Sequence, residues 1–354
     1  SAEDPALPTP PAEVAGEDEC VIMFTGGTTG RSKGAVLSHR AVMQGVVNGC
    51  YGYPEVFGQR YLLSLPISHV FGLIRGTLTA LYTGGCVCVC ETPQAMFRDA
   101  AVFRPTIWIA VPAMAEMALG LSRQFGRRML GDGMKVIICG AAAVPPYLIR
   151  AWGKEGVRIF PGYGLTESAN LVSGNPEYEA KPESVGLPFP NQTLRIAENG
   201  ELLLKGDNML TAYIGTPERA FDADGWFHTG DLARVDGDGF LYITGRTKEI
   251  IVLPSGENVS PAEVEARFNA LDAVQDCQLF EDVNEHGVPI LALEVVPRLA
   301  ETAGAADVNA FLMPRLEEVN RSLPAYQQAA RIVIRDKDFD RSPSMKILRY
   351  KRSV

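Results

Sequence analysis

Short, almost entirely apolar runs, each followed by Gly or Pro and then by a helical pattern, restrict the fold of this chain more than any other sequence feature. The runs are rich in β-branched residues and lie at 20–24, 86–90, 106–111, 135–139 and 157–160. Continuous apolar runs of this length are typical of strands buried on both faces in an α/β sheet. Ligands bind beyond the carboxyl ends of such strands, so a site is expected in the loops after Phe24, Cys139 and Phe160.

The remainder of the chain predicts a β-rich portion and then a small α+β unit. Residues 200–206, 231–235 and 240–244 have the pattern of short strands joined by tight turns. The sequence from Ser260 to Glu263 resembles a capping box with Pro at the first helical position. Two strands, a helix and a final strand are then predicted, at 277–280, 290–296, 308–323 and 331–335.

These patterns predict four regions. The first is a linker or tail, and the second is a large α/β domain of layered sheets with helices and a β-rich subdomain. A short connection and a small α+β C-terminal domain follow. The predicted bounds are 1–19, 20–244, 245–249 and 250–354.

The charge balance disfavours partners that bind through overall electrostatics. Thirty-three Lys and Arg against 42 Asp and Glu give a net charge of −9, which argues against nucleic acid as a partner. No segment approaches the roughly 18 consecutive apolar residues that a transmembrane helix needs. The first nineteen residues are acidic and Pro-rich, unlike a signal peptide, so we expect a soluble cytoplasmic protein.

The seven cysteines do not suggest a disulfide framework or a zinc site. They are dispersed, without a CxxC pair, and the sequence has only four histidines. Cys86, Cys88 and Cys90 alternate along one predicted strand and so share one face. We interpret them as small buried core residues.

A loop rich in Gly and Thr follows the first predicted strand. Its backbone N–H groups can turn inward, its hydroxyls can donate, and its lysine supplies positive charge, which together suit a phosphate group. No Gly precedes Lys33 and Gly34 follows it, so the segment is not a Walker A motif. A flexible surface loop is the alternative. The loop residues concerned are Thr25, Gly26, Gly27, Thr28, Thr29, Gly30 and Lys33.

A second candidate loop runs from Gly162 to Glu167. It offers the aromatic face of Tyr163, the hydroxyl of Thr166 and the carboxylate of Glu167. Glu167 occupies the third glycine position of a dinucleotide fingerprint, so a stacking and metal-binding loop suits the segment better. The alternative is a core tyrosine beside a solvated carboxylate.

Asp231 and Arg246 lie near the open end of a predicted hairpin. If Gly237 and Asp238 centre its turn, Asp231 pairs with Thr244, and Arg246 is one diagonal step away. One acceptor and one forked donor around a single point suit a diol such as ribose. An ordinary cross-strand salt bridge is the alternative.

These segments, in this order, resemble the adenylate-forming superfamily, which includes acyl-CoA synthetases, adenylation domains and luciferases. The resemblance covers nearly everything after residue 19 and is closest to long-chain fatty acyl-CoA ligases. Relatives carry a substantial part before the phosphate loop, so the large domain looks truncated. The matching segments are 25–34 (phosphate loop), 140–142 (adenine contact), 163–167 (adenine stacking and magnesium), 225–231 (ribose), 245–248 (hinge) and 344–349 (catalytic lysine).

The resemblance implies ATP-dependent formation of an acyl adenylate and then of an acyl-CoA thioester, with Mg²⁺ and coenzyme A. It implies that Lys346 is catalytic, that Glu167 holds Mg²⁺ with Thr166 nearby, and that Lys248 is the hinge. The implied ATP contacts are the phosphate-loop residues together with Gly140, Ala141, Ala142, Tyr163, Gly164, Asp231 and Arg246.

The segment 66–72 resembles the family motif beside the acyl pocket. It contains no Asp to meet a substrate ammonium group, so the resemblance favours a plain carboxylic acid over an amino acid. At Gly26 and Met345 the sequence departs from the commonest family pattern in the way that long-chain acyl-CoA synthetases do, which favours a fatty acid as substrate. Gly72 and Gly76 are small, so we expect them to leave room for its alkyl chain. The predicted acyl-pocket residues are His69, Val70, Phe71 and Gly72.

Three alternatives remain at this point. His69 can be an ordinary core histidine. The chain can be an acyl-AMP ligase that loads a carrier protein, which would share every motif. It can also be a non-catalytic nucleotide-binding remnant, because the part before the phosphate loop is short.

Overall fold

The computed structural model describes residues 13–25, 33–92, 95–126, 128–176, 178, 181–217, 219–254, 256–302, 307–341, 347 and 349. The strands are β1 (Glu19–Thr25), β2 (Lys33–Ser38), β3 (Arg60–Leu63), β4 (Cys86–Val89), β5 (Ile107–Ala110), β6 (Val136–Cys139), β7 (Arg158–Tyr163), β8 (Ser173–Gly174), β9 (Leu187–Pro188), β10 (Gln192–Ile196), β11 (Glu201–Gly206), β12 (Ala212–Ile214), β13 (Phe227–Val235), β14 (Leu241–Arg246), β15 (Ile251–Val252), β16 (Asn258–Val259), β17 (Val274–Val283), β18 (Pro289–Pro297) and β19 (Arg331–Ile334). The helices are α1 (His39–Asn48), α2 (Thr79–Tyr82), α3 (Met96–Phe103), α4 (Pro112–Phe125), α5 (Pro146–Lys154), α6 (Pro261–Asn269), α7 (Leu299–Thr302) and α8 (Val308–Ser322).

The central sheet has the order β4-β3-β5-β6-β7-β8-β9, and its first five strands are parallel. Strands β5 and β6 are buried along their whole length, as their apolar runs predict. Helices α4 and α5 pack against this sheet, with Trp108 and Trp152 in the shared core. The carboxyl ends of β6 and β7 therefore open into one region, where the sequence predicts a site.

The predicted strand at 20–24 does not belong to this sheet. It forms β1, which pairs antiparallel with β2 and shares a three-stranded sheet with β12. The chain returns directly from Thr25 to Lys33, whereas a parallel neighbour needs a long crossover connection. Phe24 is 65% exposed, so the assignment of this run to a buried central strand is wrong.

The cysteine strand β4 lies at the edge of the central sheet. Cys86 is exposed, and Cys88 and Cys90 are only partly buried. An edge strand has a neighbour on one side only, so the interpretation of all three residues as buried core is wrong. Burial still raises the pKa of the Cys90 thiol to about 12, which keeps it protonated.

A four-stranded antiparallel sheet of order β10-β11-β13-β14 confirms the predicted β-rich portion. In its last hairpin, Asp231 pairs with Arg246 and not with Thr244. The turn has three residues because Gly239 adopts φ +87°, and Asp236 and Phe240 close it. A register shift beyond Ala233 then adds one residue on β14, which corrects the predicted diagonal geometry to direct pairing.

The C-terminal unit confirms the predicted α+β pattern. Strands β17, β18 and β19 form one sheet, on which α6 and α8 pack through Phe268 and Leu316. The capping box is not formed, because the Ser260 hydroxyl donates to the Thr244 carbonyl (2.7 Å) instead of accepting from the helix. That bond ties the start of α6 to the bulged strand β14.

The fold is therefore mixed α/β with several sheets and a smaller C-terminal domain. The domain bounds at residues 244, 245 and 249 stay a prediction. Among the helices of the described residues, none is long and apolar enough to cross a membrane.

Candidate active site

A cleft of about 2240 Å³ lies between the carboxyl ends of the central strands, the β13–β14 hairpin and the C-terminal unit. It brings together residues that are far apart in the sequence. The predicted site residues on its walls are Thr25, Lys33, His69, Val70, Phe71, Gly140, Ala141, Ala142, Tyr163, Gly164, Thr166, Glu167, Asp231, Arg246 and Lys248. Gly26, Gly27, Thr28, Thr29, Gly30 and Lys346 lie outside the described residues.

The ends of the Gly- and Thr-rich loop are held at the mouth of this cleft. Thr25 and Lys33 are directly paired across β1 and β2. The ammonium group of Lys33 lies 5.4 Å from the ring centre of Tyr213 on β12. The Tyr213 hydroxyl in turn donates to Glu167 Oε1 at 2.8 Å. Lys33 and Glu167 are thus linked through one tyrosine that no motif predicts.

Close packing holds β12 beside the loop. A Cβ added at Gly34 would lie 2.6 Å from Ile214 Cγ1, so a larger residue would push this neighbouring strand away. The pairing of Ile214 with Gly34 places Tyr213 next to Lys33. A short strand with one aromatic residue gives no sequence signal for such a contact.

Asp231 is the centre of a second polar group. Its Oδ2 accepts a hydrogen bond from the Tyr163 hydroxyl at 2.6 Å, and Arg246 Nε lies 3.1 Å from its Oδ1. Burial and the nearby Asp231 carboxylate raise the pKa of Tyr163 well above its usual value, so this phenol stays protonated and donates. Asp231 is buried whereas the Arg246 side chain is 48% exposed, so the pair faces the cleft on one side only.

The salt bridge that was the alternative for Asp231 and Arg246 is therefore present. It does not displace the diol interpretation, because an ion pair and a diol contact would use the same carboxylate and guanidinium. Both interpretations predict the same geometry, and the ribose role stays a prediction.

Strained or tightly packed backbone shapes two turns on the cleft wall. Ala141 has φ +65°, a left-handed conformation that costs roughly 1–2 kcal/mol for a residue with a Cβ. A Cβ added at Gly164 would lie 1.4 Å from the Asn170 carbonyl oxygen, so only glycine fits there. Such strain is typical of functional turns.

The predicted acyl-pocket residues lie where a π-helical segment, Phe71–Leu78, begins. His69 Nδ1 accepts a hydrogen bond from the backbone N–H of Phe71 at 3.1 Å. The Phe71 ring packs against Gly140, where an added Cβ would lie 3.6 Å from the ring. Gly72 leaves no room for a ligand, because an added Cβ would lie 2.3 Å from the Pro66 carbonyl oxygen. A Cβ added at Gly76 would lie 2.6 Å from Leu63 Cδ1. Both glycines therefore serve internal packing, and the prediction that they leave room for an alkyl chain is wrong.

Lys248 lies in a short 3-10 turn, Thr247–Glu249, that joins the two parts of the chain. Arg349 contacts this turn through Glu249 (3.4 Å) and contacts α6 through Glu265 (2.6 Å). Arg341 and Ile347, which bracket Lys346 in the sequence, form an antiparallel bridge and line the cleft. The hinge role of Lys248 stays a prediction.

The cleft wall also carries a histidine, His228, to which the sequence assigns no role. His228 lies between Glu201 Oε2 (3.0 Å) and Asp222 Oδ2 (3.3 Å). The hydrogen bond to Glu201, and then that to Asp222, raises its pKa above the ordinary 6.5. Glu201 is 27 positions away from His228 and lies on another strand, so this contact gives no local signal in the sequence.

The contacts of His228 make the stability of the fold depend on pH. Because the folded-state pKa of His228 is raised, its charged form stabilises the fold fully below about pH 6.5, and this contribution is lost as the pH rises through the raised value. His228→Gln should therefore lower the melting temperature at pH 5.5 and leave it nearly unchanged at pH 9. The effect should stay below about 1 kcal/mol, since the side chain is half exposed. Thermal melts of His286→Gln, a more exposed site, provide the control, and an equal loss at both pH values contradicts the prediction.

The chain is similar to known proteins over most of its length. A family model described as "AMP-binding enzyme" matches residues 1–214, and one described as "AMP-binding enzyme C-terminal domain" matches residues 248–353. A feruloyl-CoA synthase from an Amycolatopsis species is 31% identical over 330 residues, which cover 89% of this chain and 66% of that protein. A long-chain-fatty-acid–CoA ligase from Mycobacterium bovis is 27% identical over 409 residues, covering 96% and 68%.

Solved structures agree with these matches. ATP-bound MatB from Rhodopseudomonas palustris superimposes with a TM-score of 0.77 and 26% identity, over 94% of this chain and 67% of that chain. The chain spans about two thirds of the length of the curated relatives it matches.

Proposed function

This chain belongs to the AMP-binding enzyme family, and we propose that it takes part in activating a carboxylic acid with ATP and transferring the acyl group to coenzyme A. The observation that carries the proposal is the joint placement of Lys33, Glu167 and Asp231 on one cleft. Lys33 offers a cation for phosphate, and Asp231 offers a buried acceptor for ribose hydroxyls. The names of the relatives, which are CoA ligases acting on different acids, support the reaction class.

In the first proposed step, a carboxylate oxygen attacks the α-phosphorus of ATP. The new bond is P–O, the bond to the bridging oxygen of the β-phosphate breaks, and pyrophosphate leaves. Both reactants are anions, so the site must screen charge and align them. We assign the phosphates to the loop between Thr25 and Lys33, adenine to Tyr163 and the 140–142 turn, and ribose to Asp231 with Arg246.

The described residues fit Mg²⁺ as part of this site. Mg²⁺ in phosphate chemistry is held by one or two carboxylates together with substrate phosphates and water. Glu167 supplies one such carboxylate, and its Oε1 is oriented by the Tyr213 hydroxyl. Among the described residues, no group of three or more His, Cys, Asp or Glu is placed to hold a metal ion. When bound, Mg²⁺ supplies positive charge to the phosphates.

In the second proposed step, the thiol sulfur attacks the acyl carbonyl carbon. A C–S bond forms, the thiol proton passes to solvent, the C–O bond to AMP breaks, and AMP leaves with the electron pair. Lys346 is assigned to the first step, and rotation about Lys248 is assigned to the change between steps, as the resemblance implies. Coenzyme A is preferred over a carrier protein because the relatives are named CoA ligases.

The identity of the acid is the finer part of the proposal. The fatty acid that the sequence favours is one candidate, and the named relatives act on both feruloyl and long-chain fatty acyl groups. An acid panel in a pyrophosphate exchange assay, run on this chain and on its complete reading frame, tests the reaction and separates these candidates. Absence of exchange with every acid in both forms would favour the non-catalytic alternative.

Nucleotide binding can be tested separately from catalysis. Millimolar ATP with Mg²⁺ should raise the melting temperature by several degrees, because ligand at a hundred times its Kd stabilises a folded protein by about 2.7 kcal/mol. Differential scanning fluorimetry with ATP, AMP and GTP provides the measurement and the control. An unchanged melting curve of folded protein would show that the nucleotide assignments fail in this chain.

A further inference from the structure

One buried cation on the cleft wall has no role in the mechanism above. Arg75 lies within the π-helical segment and is only 2% exposed, yet it contributes to the lining of the cleft. Its Nε and Nη1 atoms are buried and have no hydrogen-bond partner among the described residues. The Asn170 amide nitrogen lines the same cleft and is also buried without a partner there.

The groups around Arg75 do not neutralise it. The titratable groups that face it are Cys50, Tyr53 and Tyr61, all uncharged at neutral pH. The Tyr61 hydroxyl donates to the Val56 carbonyl at 2.9 Å and accepts a hydrogen bond from Arg75, which leaves the charge of the guanidinium uncompensated. Burial lowers the pKa of Arg75, but a guanidinium keeps its charge at physiological pH. A buried charge that lacks a counter-ion is strongly unfavourable, and a ligand carboxylate beside Nε and Nη1 would compensate it.

Arg75 lies in the same cleft as the proposed nucleotide contacts. It follows Phe71 by about one helical turn, and Phe71 packs against Gly140 in the proposed adenine turn. Tyr53 and Phe160, which also line the cleft, are 5.0 Å apart between ring centres. The part of the cleft wall near Arg75 therefore carries several aromatic rings.

We infer that Arg75 binds a second carboxylate at the far end of the acid substrate, so that the preferred substrates are dicarboxylic acids. The inference rests on the proposed function, because that function places the reacting carboxylate near Lys33 and Asp231. A guanidinium binds a carboxylate through two parallel N–H···O bonds, and Nε and Nη1 are two of its donors. The alkyl end of a fatty acid would leave the same charge desolvated and unpaired.

The test compares matched acids and matched variants in the full-length polypeptide. Hexanoate and adipate have the same chain length and differ only in the distal carboxylate, and octanoate with suberate repeats the comparison. The kcat/KM for acid-dependent pyrophosphate exchange is measured for the wild type, Arg75→Met and Arg75→Lys. Arg98→Met, an exposed arginine on α3, is the control.

The wild type should prefer the diacid of each pair by about 10- to 100-fold, the range of a charge-assisted pair. Arg75→Met should lose that preference through KM while activity with the monoacid is kept or increased. Arg75→Lys should fall between the two, and Arg98→Met should match the wild type. A wild-type preference for the monoacids, or an equal loss with both acids in Arg75→Met, would overturn the inference and make Arg75 a structural residue.

Failure of the proposed function can be recognised separately. If no acid supports exchange, binding of adipate and hexanoate without nucleotide is measured by isothermal titration calorimetry. Adipate binding that is lost in Arg75→Met would support the inference without adenylation, whereas no difference between the two acids would overturn it. If Arg75→Met does not fold, Arg75→Gln and Arg75→Lys are compared in the same way.

Discussion

Replacement of Lys346 by alanine should reduce acid-dependent pyrophosphate exchange by about 10²- to 10³-fold, the usual effect of removing one donor from developing transition-state charge. Formation of the thioester from supplied acyl adenylate and coenzyme A should persist, because Lys346 is assigned to the first step only. Arg341 and Ile347, which flank Lys346 in the sequence, line the cleft.

Lys337→Ala is the matched control for this prediction, since Lys337 is an exposed lysine of the same C-terminal unit. It should behave as the wild type in both half-reactions. If Lys346→Ala loses both half-reactions equally and still folds, Lys346 is a general structural residue. The assignment of the two steps to different positions of the small domain would then fail as well.

The sequence was sufficient to predict which loops meet at the cleft. Loops after parallel strands share one edge of a sheet, so the loops after β6 and β7 had to lie side by side. The residues in these loops also have strong local requirements, as at Gly164, where no side chain fits. A loop with such requirements leaves a signal in a single sequence.

Contacts that depend on register could not be predicted in the same way. The direct pairing of Asp231 with Arg246 needs both a three-residue turn and a bulge on β14. Each adds one residue of offset, and neither is specified by the alternation of apolar residues. The placement of β1 outside the central sheet is a similar case, because its apolar run does not reveal which strand it will join.

Side chains that act across long sequence distances were missed for another reason. Tyr213 reaches Glu167 over 46 positions, and Arg75 lies among tyrosines whose proximity only the fold creates. Arg75 also follows an apolar stretch, where a single arginine looks like a solvent-facing residue. Its burial and its missing partners are properties of the packed structure alone.

Replacement of Asp231 by asparagine should raise the KM for ATP by roughly 10- to 150-fold, which corresponds to the 1.5–3 kcal/mol of a hydrogen bond to a charged acceptor. The amide keeps the size of the side chain but replaces one acceptor oxygen with a donor. In the structure the Tyr163 hydroxyl donates to this carboxylate and Arg246 forms an ion pair with it. The variant would therefore offer the ribose hydroxyls an uncharged and weaker acceptor.

Two further variants separate a ribose contact from a purely structural ion pair. Asp236→Asn is the matched control, because Asp236 lies in the same hairpin and is paired with Lys181 outside the Asp231 group. Tyr163→Phe removes only the hydroxyl that occupies Oδ2 and should change the KM for ATP by a few-fold at most. ATP affinity is measured by calorimetry together with the melting temperature of each variant. Wild-type affinity in Asp231→Asn, accompanied by a lower melting temperature, would mean that Asp231 serves only to hold Arg246 and Tyr163 in place.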